Sequence, residues 1–470
     1  MEFDVGNGAA ASEGDDTMTS SPEFSAEQVA HNKKKKTWQR SRHVTRSTTR
    51  APVTDGQQKE IAQEMGNHIV ERVPLNYGEA MKSSKALEWT RAMDEEISAL
   101  LRLGVFEVIK RPRDSKALHS KWVFKTKNDA EGRAERFKAR LVACENEQKF
   151  GVDFLLTFAA VMDMSTVKVV LALAVIWGVP AQHGDVPNAY AQADKESGLD
   201  IFLHVPSGMK STVHEIQKFG AKNACEVVLR LKKTLYSLKQ VGRLWSQLLH
   251  ENISEAGFER CITDMCLYYR DIDENIMVVG VYVDDLLVTS TRANLIQEFF
   301  RSLSSLSIKQ LGAVRKLLGM RFNSIESGGY VLDHEEAIDE ILRDAGMDLV
   351  KTVRTPIGDD CYEETLGNED LLPVHASEGQ PTFKSFQSLV GSLLWVARST
   401  RPNIAFSVHE ASRQTHQPSF RDWNLAKRSV RYLYGSKTLK LHMVTEPNTV
   451  APLNLATFSD ADFASDRADR

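Results

Sequence analysis

The stretch that most limits what this chain can fold into runs from Ile276 to Thr289. Two apolar, β-branched runs, Ile276 to Val281 and Leu286 to Thr289, flank Tyr282-Val283-Asp284-Asp285. Such runs read as two buried strands, and the residues between them as a tight turn. Ionised carboxylates beside buried strands are costly unless a cation meets them. A divalent metal at the turn supplies that charge. An Asp-rich hairpin turn without chemistry is the plainer alternative.

At 470 residues the chain has room for two or three domains with their own cores. It is 42% hydrophobic and 26% charged, so most of it reads as globular. A net charge of −4 announces no nucleic-acid partner, so that role has to rest on local patches. The five cysteines, Cys144, Cys225, Cys261, Cys266 and Cys361, form no CxxC pair and are odd in number. They read as reduced thiols rather than as zinc ligands or disulfides. Glu2 and Asp4 stand where a signal peptide has its basic start, and the apolar run Val169 to Val179 is too short to span a bilayer. The expectation is a soluble intracellular protein without a membrane partner.

Residues 1–72 read as disordered. Positions 1–24 carry acidic and small residues without Lys or Arg, and Lys33-Lys34-Lys35-Lys36 to Arg50 is strongly basic with little core material. The basic tract suits nucleic acid, a nuclear address or a solvated linker equally. Order begins near Pro74. Ala86, Trp89, Met93, Ile97 and Leu100 follow helical spacing, with Ser84 as N-cap and Gly104 as stop. Lys121–Lys125 and Arg136–Ala143 read as two strands with alternating cations, joined by a turn at Gly132. Ser165 to Trp177 is a nearly all-apolar helix, expected to be buried. Gln182 to Tyr190 reads as a strand running into a turn, and a further helix is expected near Leu295 and Ile296. His183 and His204 read as structural or exposed, since a hard cation prefers oxygen.

Taken together, these blocks resemble the Pol polyprotein of copia-like LTR retrotransposons in its reverse transcriptase region. The resemblance rests on Tyr282-Val283-Asp284-Asp285, on Asp185-Val186-Pro187-Asn188-Ala189-Tyr190 and on Leu235-Tyr236-Ser237-Leu238-Lys239-Gln240 leading to Arg243 and Trp245. Weaker matches are Glu88 to Ile97, Ile201 to Met209, Leu389 to Trp395, Thr400 to Ala405 and Ala426 to Leu433. It implies an α+β, right-hand polymerase fold: fingers, a palm with an antiparallel sheet, a thumb, a helical connection and the truncated start of an RNase H-like domain. The implied boundaries are a linker at 1–72, fingers and palm at 73–322, thumb and connection at 323–450, and a first RNase H strand at 451–470.

The resemblance also assigns roles. Asp185, Asp284 and Asp285 become catalytic and, with Val186, hold two Mg²⁺, with Mn²⁺ as an alternative. Asp185 and Asp284 are the main ligands and Asp285 the auxiliary. Lys138 and Arg140 contact the triphosphate of the incoming nucleotide, Gln240 the nucleotide and template, and Lys309 the leaving pyrophosphate. Tyr190 lies beneath the sugar and excludes ribonucleotides. The implied partners are an RNA template, a DNA primer/template, dNTPs and other Pol segments, in a cytoplasmic virus-like particle or the nucleus. Asp460 and Asp462 match the opening strand of a ribonuclease H, whose activity is expected to be absent. Departures from the family pattern are Pro187 for Lys, Cys144 for Lys, Ala160 for Pro, Ser237 for Gly and Gly242 for Pro. None removes a metal ligand, but Ser237 strains a backbone that needs φ > 0 and Pro187 deletes an N–H near a ligand. Two functions remain open: an active RNA-directed DNA polymerase, or a catalytically inactive remnant that keeps the fold and binds nucleic acid.

Overall fold

A computed structural model describes residues 73–113, 115–128, 134–209, 226–325, 328–347, 350–358, 370–375, 380–444 and 456. The tract Lys33–Lys36, the turn residue Gly132, Cys225, Cys361, Asp460 and Asp462 lie outside the described residues.

The two apolar runs pair as an antiparallel hairpin, Asn275–Tyr282 with Asp285–Ser290, at the centre of a six-stranded sheet. From one edge the order is Lys309–Ala313, Gln182–Asp185, Asp285–Ser290, Asn275–Tyr282, Leu267–Ile272 and Glu259–Arg260, every neighbouring pair antiparallel. Both faces are covered, which is why the runs read as continuous rather than alternating. Met277, Val279, Val281, Leu286 and Val288 meet Trp245, Leu249 and Ile253 of the helix Val241–Glu255 and Phe299 and Phe300 of the helix Ala293–Ser302. Val278 and Leu287 point the other way, onto Val167, Val170 and Leu171 of the helix Met164–Trp177. Gly280 admits the Met162 sulfur so closely that a Cβ there would lie 2.7 Å from it.

That helix is not wholly buried, contrary to the expectation from its composition. Val169 and Ile176 are each 49% exposed. The helix rests on the sheet through one side, and an all-apolar sequence does not say which side that is. The helix Ala86–Arg102 also starts differently: Lys85, not Ser84, takes the N-cap position and makes no side-chain cap bond. Its stop is as expected, with Gly104 at φ 67°. Trp89 meets Phe124 and Phe137 edge-on, at 5.0 and 4.7 Å between ring centroids. This seats the basic hairpin Ser120–Asn128/Ala134–Ala143 on the helix.

A small four-stranded sheet, Lys316–Leu317, Met320–Ser324, Tyr330–Asp333 and Leu441–Met443, leads from the central sheet into a helical region. There Glu335–Asp344, Phe383–Ser399, Ala405–Arg413 and Phe420–Gly435 share one core around Phe386, Leu393, Val408 and Val430. Two of these helices open with capping boxes, Thr382/Ser385 and Ser419/Asp422. Among the described residues Cys144, Cys261 and Cys266 are free thiols, and no helix is long and apolar enough to cross a membrane.

Candidate active site

The register of the central sheet brings distant residues into one row. Tyr282 pairs with Asp285, Asp285 with Asp185, and Asp185 with Lys309. Residues directly opposite in an antiparallel sheet have Cα atoms about 4.5–5.5 Å apart and point to the same face. The remaining carboxylate, Asp284, sits beside this row in the two-residue turn, and its carbonyl accepts from the Val186 N–H at 2.8 Å.

The carboxylates crowd one another. Burial, then the charges of Asp285 and Asp185, push the Asp284 carboxyl above its usual range, against the lowering pull of Arg140. Such oxygen donors suit a hard divalent cation. Asp285 is drawn partly aside, because the ring Nε2 of buried His183 lies 2.7 Å from its Oδ1. Among the described residues no three His, Cys, Asp or Glu side chains converge tightly enough to hold a metal ion together. Asp185, Asp284 and Asp285, with the backbone of Val186, are the oxygen donors gathered at this turn, and one oxygen of Asp285 is already engaged by His183.

The row and the basic hairpin, with Lys125, Arg136, Lys138 and Arg140, line one cleft of about 1410 Å³. Lys309 also lines it. The Arg140 guanidinium lies 5.0 Å over the Tyr236 ring, and the Tyr236 hydroxyl donates to Asn188 Oδ1 at 2.9 Å. Beneath these cations is Glu96, a buried carboxylate whose pKa is raised by burial and lowered by an N–H from Leu141 and by Arg140 and Lys138. Asn188 takes φ 54°, which turns the chain after Asp185 and sets Tyr190 edge-on to Tyr236 at 6.4 Å. Tyr190 is half-buried, and its hydroxyl pKa is raised by burial and by the nearby Asp284 and Tyr282.

Gln240, the residue assigned to the nucleotide and template, is buried beside the loop 148–154. It is 1% exposed, and its amide donates to the Asp153 carbonyl at 2.9 Å and accepts from Gln148 at 3.1 Å. A buried amide so engaged braces the loop 148–154 instead of reaching a ligand. Glu96 and Tyr236 carry no individual signal in the sequence. His183, read there as structural or exposed, is buried, and its place two residues before Asp185 on a strand puts it on the same face. Ser237 takes φ 66°, the left-handed backbone anticipated there.

Residues 103–359 match the family described as reverse transcriptase (RNA-dependent DNA polymerase). The chain is 30% identical to the Retrovirus-related Pol polyprotein from transposon TNT 1-94 of Nicotiana tabacum, over 78% of this chain and 27% of that protein. It is 29% identical to the Retrovirus-related Pol polyprotein from transposon RE2 of Arabidopsis thaliana, over 83% of this chain and 25% of that one. The chain thus spans about a quarter of the length of these relatives. Among solved structures, a foamy viral protease-reverse transcriptase in complex with ds DNA aligns at 11% identity and a TM-score of 0.36, over 73% of this chain and 48% of that chain. On the family match, the chain belongs to the reverse transcriptase (RNA-dependent DNA polymerase) family, and it is similar to part of these transposon Pol polyproteins.

Proposed function

We propose that this chain extends a DNA primer on an RNA or DNA template, using dNTPs, within an intracellular particle or the nucleus. One observation carries the reading: Asp185 and Lys309 lie on one rung of the sheet, with Asp284 in the adjacent turn, in the cleft that the basic hairpin also lines. In this reading residues 73–322 act as fingers and palm, and 323–450 as thumb and connection. Asp185 and Asp284, with the Val186 carbonyl, hold two divalent ions, and Asp285 supports them. When bound, the ions activate the primer 3′-hydroxyl and neutralise charge on the leaving oxygens.

The chain's own groups do the rest. The 3′-oxygen bonds to the α-phosphorus while the bond to pyrophosphate breaks. Lys138 and Arg140 hold the triphosphate, Arg140 pre-oriented by its stacking on Tyr236. Lys309 supplies a proton to the pyrophosphate. Tyr190 walls off the sugar's 2′ position. The inactive-remnant alternative draws on Ser237 held at φ 66° and on the Asp285–His183 bond. Primer extension on poly(A)/oligo(dT) with Mg²⁺ or Mn²⁺ decides between them. Product that grows with dTTP supports the polymerase, and tight binding of the hybrid without extension supports the remnant.

A further inference from the structure

The turn that carries Asp284 has no glycine, and its first residue, Val283, takes φ 57°. A β-branched side chain in that region is a true outlier and persists only where its surroundings over-determine it. The structure supplies the restraint from another element. The indole Nε1–H of Trp245 donates to the Val283 carbonyl at 2.6 Å. Trp245 is 2% exposed and lies in the second turn of the helix Val241–Glu255, in a stripe with Leu249 and Ile253 against the sheet.

The Val283 carbonyl belongs to the peptide plane that enters Asp284, and the Asp284 carbonyl to the plane that leaves it. The first is held by Trp245 and the second by the Val186 N–H, at 2.8 Å. With both flanking planes fixed, the φ and ψ of Asp284 are fixed, and so is the direction of its Cα–Cβ bond. We infer that Trp245 is a positioning residue: its N–H holds the strained Val283 peptide so that Asp284 stands beside Asp185. Its apolar body fills the core, as any large side chain there would. Only the N–H is assigned this role.

The inference deepens the proposed polymerase but is testable apart from it. Trp245→Phe keeps a ring and loses the donor. Trp245→benzothienylalanine keeps the shape almost unchanged, with sulfur in place of N–H, and guards against a folding failure. The readout is amide exchange at Val186, whose bond to the Asp284 carbonyl reports the turn directly. Val279 and Val288, paired in the same hairpin, serve as controls. The expected result is exchange at Val186 faster by roughly tenfold or more in both variants, with the controls unchanged. Adding Val283→Gly, which takes φ > 0 without strain, should restore most of the protection. Unchanged exchange at Val186 overturns the inference, as does a uniform rise at all three amides, which marks simple loss of packing. In primer extension, Trp245→benzothienylalanine should lower kcat roughly tenfold with the dNTP KM little changed. If Val186 responds but the wild-type chain extends no primer, the positioning role stands and the polymerase reading fails.

Discussion

Two tight hairpins in this molecule face the same backbone problem and meet it differently. Tyr282–Asp285 and Leu317–Met320 are each closed by two residues, and each places a bulky residue at positive φ, Val283 at 57° and Leu318 at 50°. In the second, the next residue is also at positive φ, 78°, and is a glycine, Gly319, which takes that region without cost, while Leu318 keeps the same strain as Val283. A Cβ at Gly319 would lie 2.8 Å from the Trp395 ring, which packs over the turn. In the first, the corresponding residue is Asp284, and the restraint is a hydrogen bond from Trp245. A glycine at the second position leaves that residue free of strain but carries no chemistry. Where the turn presents a carboxylate, the second residue stays out of the left-handed region and a neighbouring helix holds the strained first one. Each turn thus has its tryptophan, one as donor and one as a packed face.

The largest expected effect separates the two hairpins by function. Asp284→Asn and Asp185→Asn should each lower primer extension by roughly 10²–10⁴ while the unfolding midpoint in urea moves little. A comparable loss of stability would make the first turn structural like the second. Gly319→Ala should do the reverse. It forces φ > 0 on a residue with a Cβ and drives it into Trp395, costing roughly 2–4 kcal/mol in urea unfolding.

The support of the second hairpin should also depend on pH. His334 packs on Trp395 at 4.4 Å between ring centroids and accepts or donates at Thr400 Oγ1 across 2.7 Å. Burial lowers its pKa to about 4, against the raising pull of Asp333. The folded state therefore favours the neutral ring. That contribution is complete above the unfolded value of about 6.5 and is lost as pH falls towards 4. About 2 kcal/mol should be gone by pH 5, and His334→Gln should flatten thermal melts between pH 7 and 5. The smallest effect is at the sugar wall. Tyr190→Val should raise ribonucleotide use relative to deoxynucleotide use by roughly tenfold. If both substrates weaken together at an unchanged ratio, Tyr190 is packing.

What the sequence disclosed depended on how local the signal was. The Tyr282–Asp285 hairpin was readable from period and β-branching alone. Asp185 was not; it lies far upstream in the chain, and only the family resemblance joined it to Asp284. The sheet register then gave that junction a physical form. The burial of Gln240 was not legible because a motif carries no information about burial, and here its amide turns inward to Gln148 and Asp153. Composition described the helix Met164–Trp177 as apolar throughout but not which side would stay uncovered. The Trp245–Val283 bond joins a helix to a turn through one indole hydrogen, and no pattern in the chain announces such a contact.

Asp185 and Asp284, brought together by the sheet, are proposed to hold divalent metal. Titrating Mn²⁺ into the chain and following the free ion by electron paramagnetic resonance tests this. Wild-type protein should take up Mn²⁺ that Asp185→Asn and Asp284→Asn each fail to bind. Equal uptake by all three proteins would contradict the account.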